Sequence, residues 1–310
     1  MKHIAAYKNI LGLNSEDEIF DYLLNNTKET IRGWDFFVDW NKVNRKITNI
    51  EASLNLWNVL VGKDNIIYEF KNLAKTYPEI VTLVPVLIAL RANDIKVLDP
   101  LDKDFFNFND YKFEIKPNYT DAEINQVAEF ADKSGLFAML SSQRIKNVVD
   151  YATGVEVGLD TNARKNRSGT AMENIVELFV KEICDHNQYT YLPQANANKI
   201  KKEFGFKIPI DKARRSFDFV INTNSKLYLI ETNFYGGGGS KLKSVAGEFT
   251  TLHHLIKDNT PEHSFIWITD GIGWYTAKHP LREAFDATDF ILNLNMVEKG
   301  ILHYILTKGL

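Results

Sequence analysis

The sequence predicts an α/β (α+β) protein, in which a central mixed β-sheet flanked by helices is joined to a mainly helical N-terminal domain. Three observations predict it. Over residues 1–150 apolar side chains recur at helical spacing, in 19–24, 52–61, 66–73 and 80–90. Beyond 150, two β-rich runs, 217–221 and 226–233, flank Asn222-Thr223-Asn224-Ser225, a stretch of turn residues. A helix over about 245–257 and a buried strand at 265–269 follow. Helix, hairpin, helix, strand is the order of a layered mixed sheet. The expected division is 1–150 and 151–310.

Within the helical half, Asp121 marks a helix start and Gly135 a stop, and 95–98 is a short β-prone interruption. Trp34, Trp40, Trp57 and Tyr68 are expected to be core or helix-packing aromatics. Residues 151–169, rich in Gly, Asn, Thr and charge, read as a long loop. A helix over 170–183 follows, with Thr170 and Glu173 at capping-box spacing. Residues 192–216 read as a polar, basic connection.

With 310 residues, 45% of them hydrophobic and 25% charged, the chain has the composition of an ordinary globular protein. The longest apolar stretch, 80–90, is interrupted by Pro85 and falls short of the roughly 20 residues that span a bilayer. No membrane association is expected, and no secretory signal is evident near Met1, so a cytoplasmic location is expected. The single cysteine, Cys184, excludes an internal disulfide and a cysteine-built zinc site. A net charge of −3 argues against unselective coating of nucleic acid but leaves room for a local basic groove.

The chemistry is expected at the hairpin. With Asn224-Ser225 at its tip, Asp218 falls opposite Glu231, and period-2 alternation adds Asn233 to the same face. Two facing carboxylates repel unless a proton or cation lies between them. Few oxygen ligands suit Mg2+, which acidifies water and neutralises charge on a phosphate. The surroundings are basic: over 199–215, Lys199, Lys201, Lys202, Lys207, Lys212, Arg214 and Arg215 stand against Glu203 and Asp211, a net +5. Acids inside a cationic surround match phosphodiester cleavage. Arg164, Lys165, Asn166 and Arg167 add candidate DNA contacts, able to hold phosphate or read bases.

Other chemistries fail on detail. The run Gly236–Gly239 before Ser240-Lys241-Leu242 lacks the Gly-Lys-Ser/Thr order of a P-loop. Its glycines are expected to let the backbone approach DNA or turn tightly. The seven histidines show no metal-ligand spacing, since His253 and His254 are adjacent on a helix, and no Gly-x-Ser-x-Gly elbow occurs.

Asp218, twelve intervening residues and Glu231-Thr232-Asn233 together resemble the PD-(D/E)xK nuclease motif. More narrowly, residues 148–176, 217–242 and 265–286, and less strongly 39–66, resemble the GATC-specific type II restriction endonucleases of the DpnII/MboI family. The resemblance implies a homodimeric, Mg2+-dependent enzyme that cuts both strands of double-stranded DNA at 5′-GATC. An adenine methyltransferase would protect the host's own sites. It implies a nuclease domain over 151–310 and a helical domain that embraces DNA, builds the dimer, or both. Asp218 and Glu231 match the metal-binding acids, and Glu173 matches an acid often found on the preceding helix. Phe217 replaces the motif's Pro, and Asn233 replaces the lysine that orients or deprotonates the attacking water. Asn cannot accept a proton at neutral pH, so Lys241, brought back by the glycine run, is the candidate substitute and Lys243 the fallback. Ser240, Lys243, Arg214 and Arg215 complete the expected DNA contacts. The alternative is a non-cleaving or structure-specific DNA-binding protein on the same scaffold.

Overall fold

The computed structural model describes residues 4–101, 106–162, 164–212, 214–224 and 226–310, and of Asp35, Asp99, Pro100, Leu101, Phe106, Arg164, Lys165, Asn166 and Ser168 the backbone alone. The chain forms two compact units: residues up to Phe36 with Lys165–Leu310, and Phe37–Arg164. The boundary expected at 150 therefore falls after Arg164, and the N-terminal segment belongs with the C-terminal half.

That segment holds α1 (Ile4–Leu11) and α2 (Glu16–Asn25), whose N-cap Ser15 accepts from the Glu18 amide. The second unit follows. It comprises α3 (Trp40–Trp57), α4 (Ile66–Thr76), α5 (Leu83–Leu87), an antiparallel pair β1 (Asp94–Leu101) and β2 (Phe106–Lys112), α6 (Asp121–Lys133), α7 (Leu136–Ser141) and α8 (Val148–Thr161). The helix expected to start at Asp121 does so, with Thr120 and Glu123 forming a full capping box.

Where a loop was expected over 151–169, α8 runs instead. Its Val148 and Ala152 are buried, and Glu156 and Asp160 are held by cations from elsewhere in the unit: Lys46 and Arg91 on Glu156, Lys42 on Asp160. These tertiary contacts override the weak helix propensity of Gly154 and Gly158. Of the four aromatics expected to pack, only Trp57 is buried; Trp34, Trp40 and Tyr68 are exposed.

The remaining elements are α9 (Arg164–Asn187), β3 (Thr190–Asn196), α10 (Ala197–Phe204), β4 (Ser216–Asn222), β5 (Leu227–Phe234), α11 (Ser240–Asn259), β6 (Ser264–Asp270), α12 (Lys278–Ala287), β7 (Phe290–Leu292), α13 (Leu294–Glu298) and α14 (Ile301–Lys308). Helix α9 begins before Thr170, so Thr170 lies inside the helix and does not cap it. The basic connection expected over 192–216 contains most of β3 and all of α10.

The first unit's sheet runs β3-β4-β5-β6-β7. Strands β3, β4 and β5 pair antiparallel, and β5, β6 and β7 pair parallel. The hairpin keeps the expected register through Val220↔Leu229 and Phe219↔Ile230, where the ladder ends. Its turn is set by Asn224 in the left-handed region (φ +70°) and by the Asn222 side chain, which accepts from the Asn224 amide. Leu227, Tyr228, Leu229, Ile230, Phe265, Ile266 and Trp267 are all buried, so this hairpin lies at the centre of the core.

The N-terminal segment is tied to the end of β6 by the buried carboxylate of Asp270, which accepts from the amides of Lys28, Gly271 and Leu294. Beside it, Gly271 has φ +108°, and a Cβ there would lie 2.3 Å from the Tyr235 carbonyl. One glycine of the 236–239 run has a similar role: a Cβ on Gly238 would lie 2.4 Å from Thr276 Oγ1. Among the described residues no helix is long and apolar enough to cross a membrane.

Candidate active site at the fork of the hairpin

The end of the β4–β5 ladder is a fork. Below it Asp218 still reaches across, its Oδ2 accepting from Thr232 N at 2.8 Å and Thr232 Oγ1 at 2.9 Å. On its other side the β3–β4 pairing passes from Pro193↔Phe219 to Ala195↔Phe217, leaving Gln194 unpaired opposite Asp218. Gln194 donates through Nε2 to Glu173 Oε2 at 2.7 Å and to Asp218 Oδ1 at 3.1 Å. Glu173 comes from α9, Asp218 from β4 and Glu231 from β5, so three elements of one unit deliver the three expected acids to one neighbourhood.

Their electrostatics show a shared deficit of positive charge. Glu231, buried at 7% exposure, is pushed up to about 8, first by burial and then by Asp218, with Arg215 pulling the other way. Asp218 is raised by burial against the hydrogen bonds from Thr232. Burial and then Asp218 raise Glu173. A nearby guanidinium ordinarily lowers a carboxylate, so burial and like charge outweigh it at Glu231.

Arg215 was expected to contact DNA; it points inward instead. Its side chain is 8% exposed and donates to Asp211 Oδ1 and Oδ2 at 2.8 and 2.6 Å, to Glu231 Oε1 at 3.2 Å and to Glu248 Oε1 at 2.6 Å. Asp211 is lowered by the hydrogen bonds from Arg215. Against the opposing effect of burial, Lys212 and Arg215 hold Glu248 low. Arg215 is thus the fixed counter-charge of Glu231. Its position, one residue before β4, was visible in the sequence, but its burial was not.

Asn233 is oriented by a residue that the hairpin pattern did not single out. The indole N–H of buried Trp267, on β6, donates to Asn233 Oδ1 at 2.5 Å. With its carbonyl engaged, Asn233 offers its NH2 group. Lys241 and Lys243 lie exposed in the first turn of α11 with Ser240, and among the described residues neither lysine has a hydrogen bond or ion pair. Arg214 is exposed, as are Lys201 and Lys207. Arg167 donates to the Phe36 carbonyl at 3.2 Å. The side chains of Arg164, Lys165 and Asn166 lie outside the described residues.

Hard carboxylate oxygens with uncompensated charge suit a hard dication such as Mg2+. Among the described residues, however, no three acidic or histidine side chains stand close enough to hold a metal ion as they are. Glu231 Oε1 is bonded to Arg215, Asp218 Oδ2 to Thr232, and Asp218 Oδ1 to Gln194. The carboxylate oxygens fit the ion in kind, and part of their capacity is taken up by these hydrogen bonds.

A mixed sheet whose hairpin fork collects acids on rigid strands, with exposed cations nearby, is an architecture suited to hydrolysing a polyanion. The chain belongs to the DpnII restriction endonuclease family, whose model matches residues 19–304. It is 48% identical to the type II restriction enzyme MjaIII of Methanocaldococcus jannaschii over 93% of this chain and 99% of that one. It is 40% identical to DpnII of Streptococcus pneumoniae over 91% and 96% of the two chains. To MboI of Moraxella bovis it is 34% identical over 94% and 97%. The chain is accordingly a type II restriction enzyme, a site-specific deoxyribonuclease.

Replacing Arg215 by Met leaves Asp211, Glu231 and Glu248 without their shared cation. Stability should fall by about 3 kcal/mol, the scale of breaking a buried ion pair from one side. Urea unfolding of the variant and the parent checks this, and a difference below about 0.5 kcal/mol would show that the bridges are interchangeable with solvent.

Proposed function

We propose that the enzyme cleaves double-stranded DNA at 5′-GATC sites that lack protective adenine methylation, with Mg2+ held by Asp218 and Glu231 and assisted by Glu173. The observation that carries this reading is the meeting of Asp218 and Glu231 at the hairpin fork, where Asp218 reaches across to Thr232 beside Glu231, burial raises both carboxyls, and Asp218 raises Glu231 further. When bound, Mg2+ supplies positive charge against the phosphate and lowers the pKa of water. The 5′-GATC specificity, the homodimer and the methyltransferase partner come from the family resemblance. A palindrome read by a two-fold dimer is also geometrically economical.

The chain's own residues take the remaining tasks. Thr232 and Arg215 hold one oxygen each of Asp218 and Glu231, which fixes the orientation of the other oxygens. Asn233, its carbonyl engaged by Trp267, donates its NH2 to a phosphate oxygen or to the lone pair of the attacking water. It takes no proton. Lys241, leading α11, stands in for the motif lysine, and Lys243 and Ser240 hold phosphate near the helix's N-terminus. Arg214 and Arg167, with the segment 164–166, supply further DNA contacts. A non-cleaving DNA-binding protein would be favoured by Asn233 alone, and membership of an endonuclease family weighs against it.

The reading is tested on plasmids prepared with and without adenine methylation at GATC, incubated with and without Mg2+. Discrete fragments matching GATC spacing are expected from unmethylated plasmid with Mg2+ only. Cutting unrelated to GATC, or indifferent to methylation, would overturn it. Asp218→Ala and Glu231→Ala should each abolish cleavage while a gel shift in Ca2+ persists, so undiminished cutting by either removes that acid from the site. Lys241→Ala should lower the single-turnover rate by about a hundredfold or more; a loss of affinity alone would make Lys241 a phosphate contact.

Proton competition gives a further expectation. Glu231 titrates near 8 in the metal-free protein, so below that pH a cation must displace a proton from it. Affinity for Ca2+ should therefore rise between about pH 6 and pH 8 and level off above it. Calorimetric titrations in buffers of different ionisation enthalpy measure both affinity and proton release. A pH-independent affinity would mean that Glu231 is not a ligand.

A further inference from the structure

We propose that Gln194 is a positioning residue that competes with the metal: its amide holds Glu173 and Asp218 together in the metal-free protein, and its withdrawal would free these acids for a cation. The inference rests on the metal-site reading above. Its starting point is the geometry of one NH2 group, 2.7 Å from Glu173 Oε2 and 3.1 Å from Asp218 Oδ1. Only the nitrogen end of the amide can face two carboxylates, because the carbonyl end would add a third set of lone pairs. Each N–H hydrogen then points at one acid oxygen. An N–H donor cannot ligate a metal, and each of its hydrogens takes up a lone pair, so amide and cation compete for these oxygens.

The backbone of Gln194 points the same way. It lies within β3 yet has φ +46°, the left-handed region that residues other than Gly, Asn and Asp rarely enter. The residues on either side, Pro193 and Ala195, keep their pairing with β4 while Gln194 drops out of it. An irregularity of this kind re-aims one side chain within an otherwise regular strand. Here it aims the amide at the acids. The other acid oxygens have partners on better-buried groups, Thr232 and Arg215. Gln194 is exposed, so it is the partner most free to leave.

The exchange predicts that removing the amide donor tightens metal binding, the reverse of what removing a ligand would do. The test is Ca2+ binding by isothermal titration to the full-length, DNA-free protein, alongside its melting temperature with and without Ca2+. Two variants are compared. Gln194→Met keeps the length and loses the donor, and Gln194→Asn suits the left-handed backbone but is one methylene too short to reach both acids. Both should bind Ca2+ about tenfold tighter than the parent, the scale of one net hydrogen bond to a charged group. Both should melt lower without Ca2+ and gain more on its addition.

Unchanged or weaker binding in both variants, with the parent still binding Ca2+ through Asp218, overturns the role of Gln194 and leaves the metal site standing. A parent that binds no Ca2+, or binds it unaltered by Asp218→Asn, overturns the metal site and this inference with it.

Discussion

Everything at the candidate site depends on one electrostatic constraint: three carboxylates from three elements meet where β4 and β5 part. Glu173, Asp218 and Glu231 cannot all be charged there without compensation, and the fold compensates unequally. Glu231 receives a permanent cation in Arg215, itself anchored by Asp211 and Glu248. Asp218 and Glu173 receive neutral donors, from Thr232 and Gln194. Neutral donors stabilise charge less than a cation does, so the cluster retains an unmet demand for positive charge. The architecture keeps it in being because the strands that carry the acids are among the most deeply buried in the molecule.

That rigidity is built from sequence-distant pieces. Phe217, Phe219, Leu229 and Ile230 lock the hairpin into the core, and Trp267 joins that core while its indole N–H reaches Asn233. At the C-terminal end of β6, Asp270 gathers three backbone amides, one of them from the N-terminal segment. The same segment is fastened by Tyr22 to Asn295 and by Arg282 to Asp17, which explains why it packs with residues far away in sequence. Glycines at 238 and 271 let the loops beyond β5 and β6 pack at distances no side chain would allow. At least one member of the glycine run is therefore explained by internal packing.

The hairpin was readable from sequence because its signals agree. Two strongly apolar runs bracket a turn rich in Asn, and the register needs only their spacing. Asp218 and Glu231 are singled out by continuing that register one step past Phe219↔Ile230, where the ladder ends and Asp218 accepts from Thr232 instead. What escaped the sequence depends on partners far along the chain. Glycines and polar residues made 151–169 look irregular, yet the face of Val148, Ala152, Glu156 and Asp160 is buried and finds cationic partners in Lys42 and Lys46 of α3 and in Arg91. Arg215 read as one of several surface cations because its three acids lie 4, 16 and 33 residues away. Gln194 gave no signal at all, since nothing in its neighbours announces a left-handed residue inside a strand. Exposed Trp34 and Trp40 mark the converse error, in which hydrophobic type stood proxy for burial.

Asn233 in place of a lysine fits the same physical logic. A lysine at this position brings both a donor and a positive charge, and a cluster already served by Arg215 has part of that charge supplied from elsewhere. What remains to be provided is a donor of fixed direction. An unrestrained Asn would present carbonyl and NH2 ends interchangeably, but the Trp267 indole can donate only to the carbonyl, and that single bond sets the amide's orientation. On the proposed reading, charge and direction, which one lysine combines, are divided here between Arg215 and a tryptophan-locked asparagine. The rest of the lysine's task then falls to a side chain outside the hairpin, and Lys241, exposed at the head of α11, is the residue proposed for it.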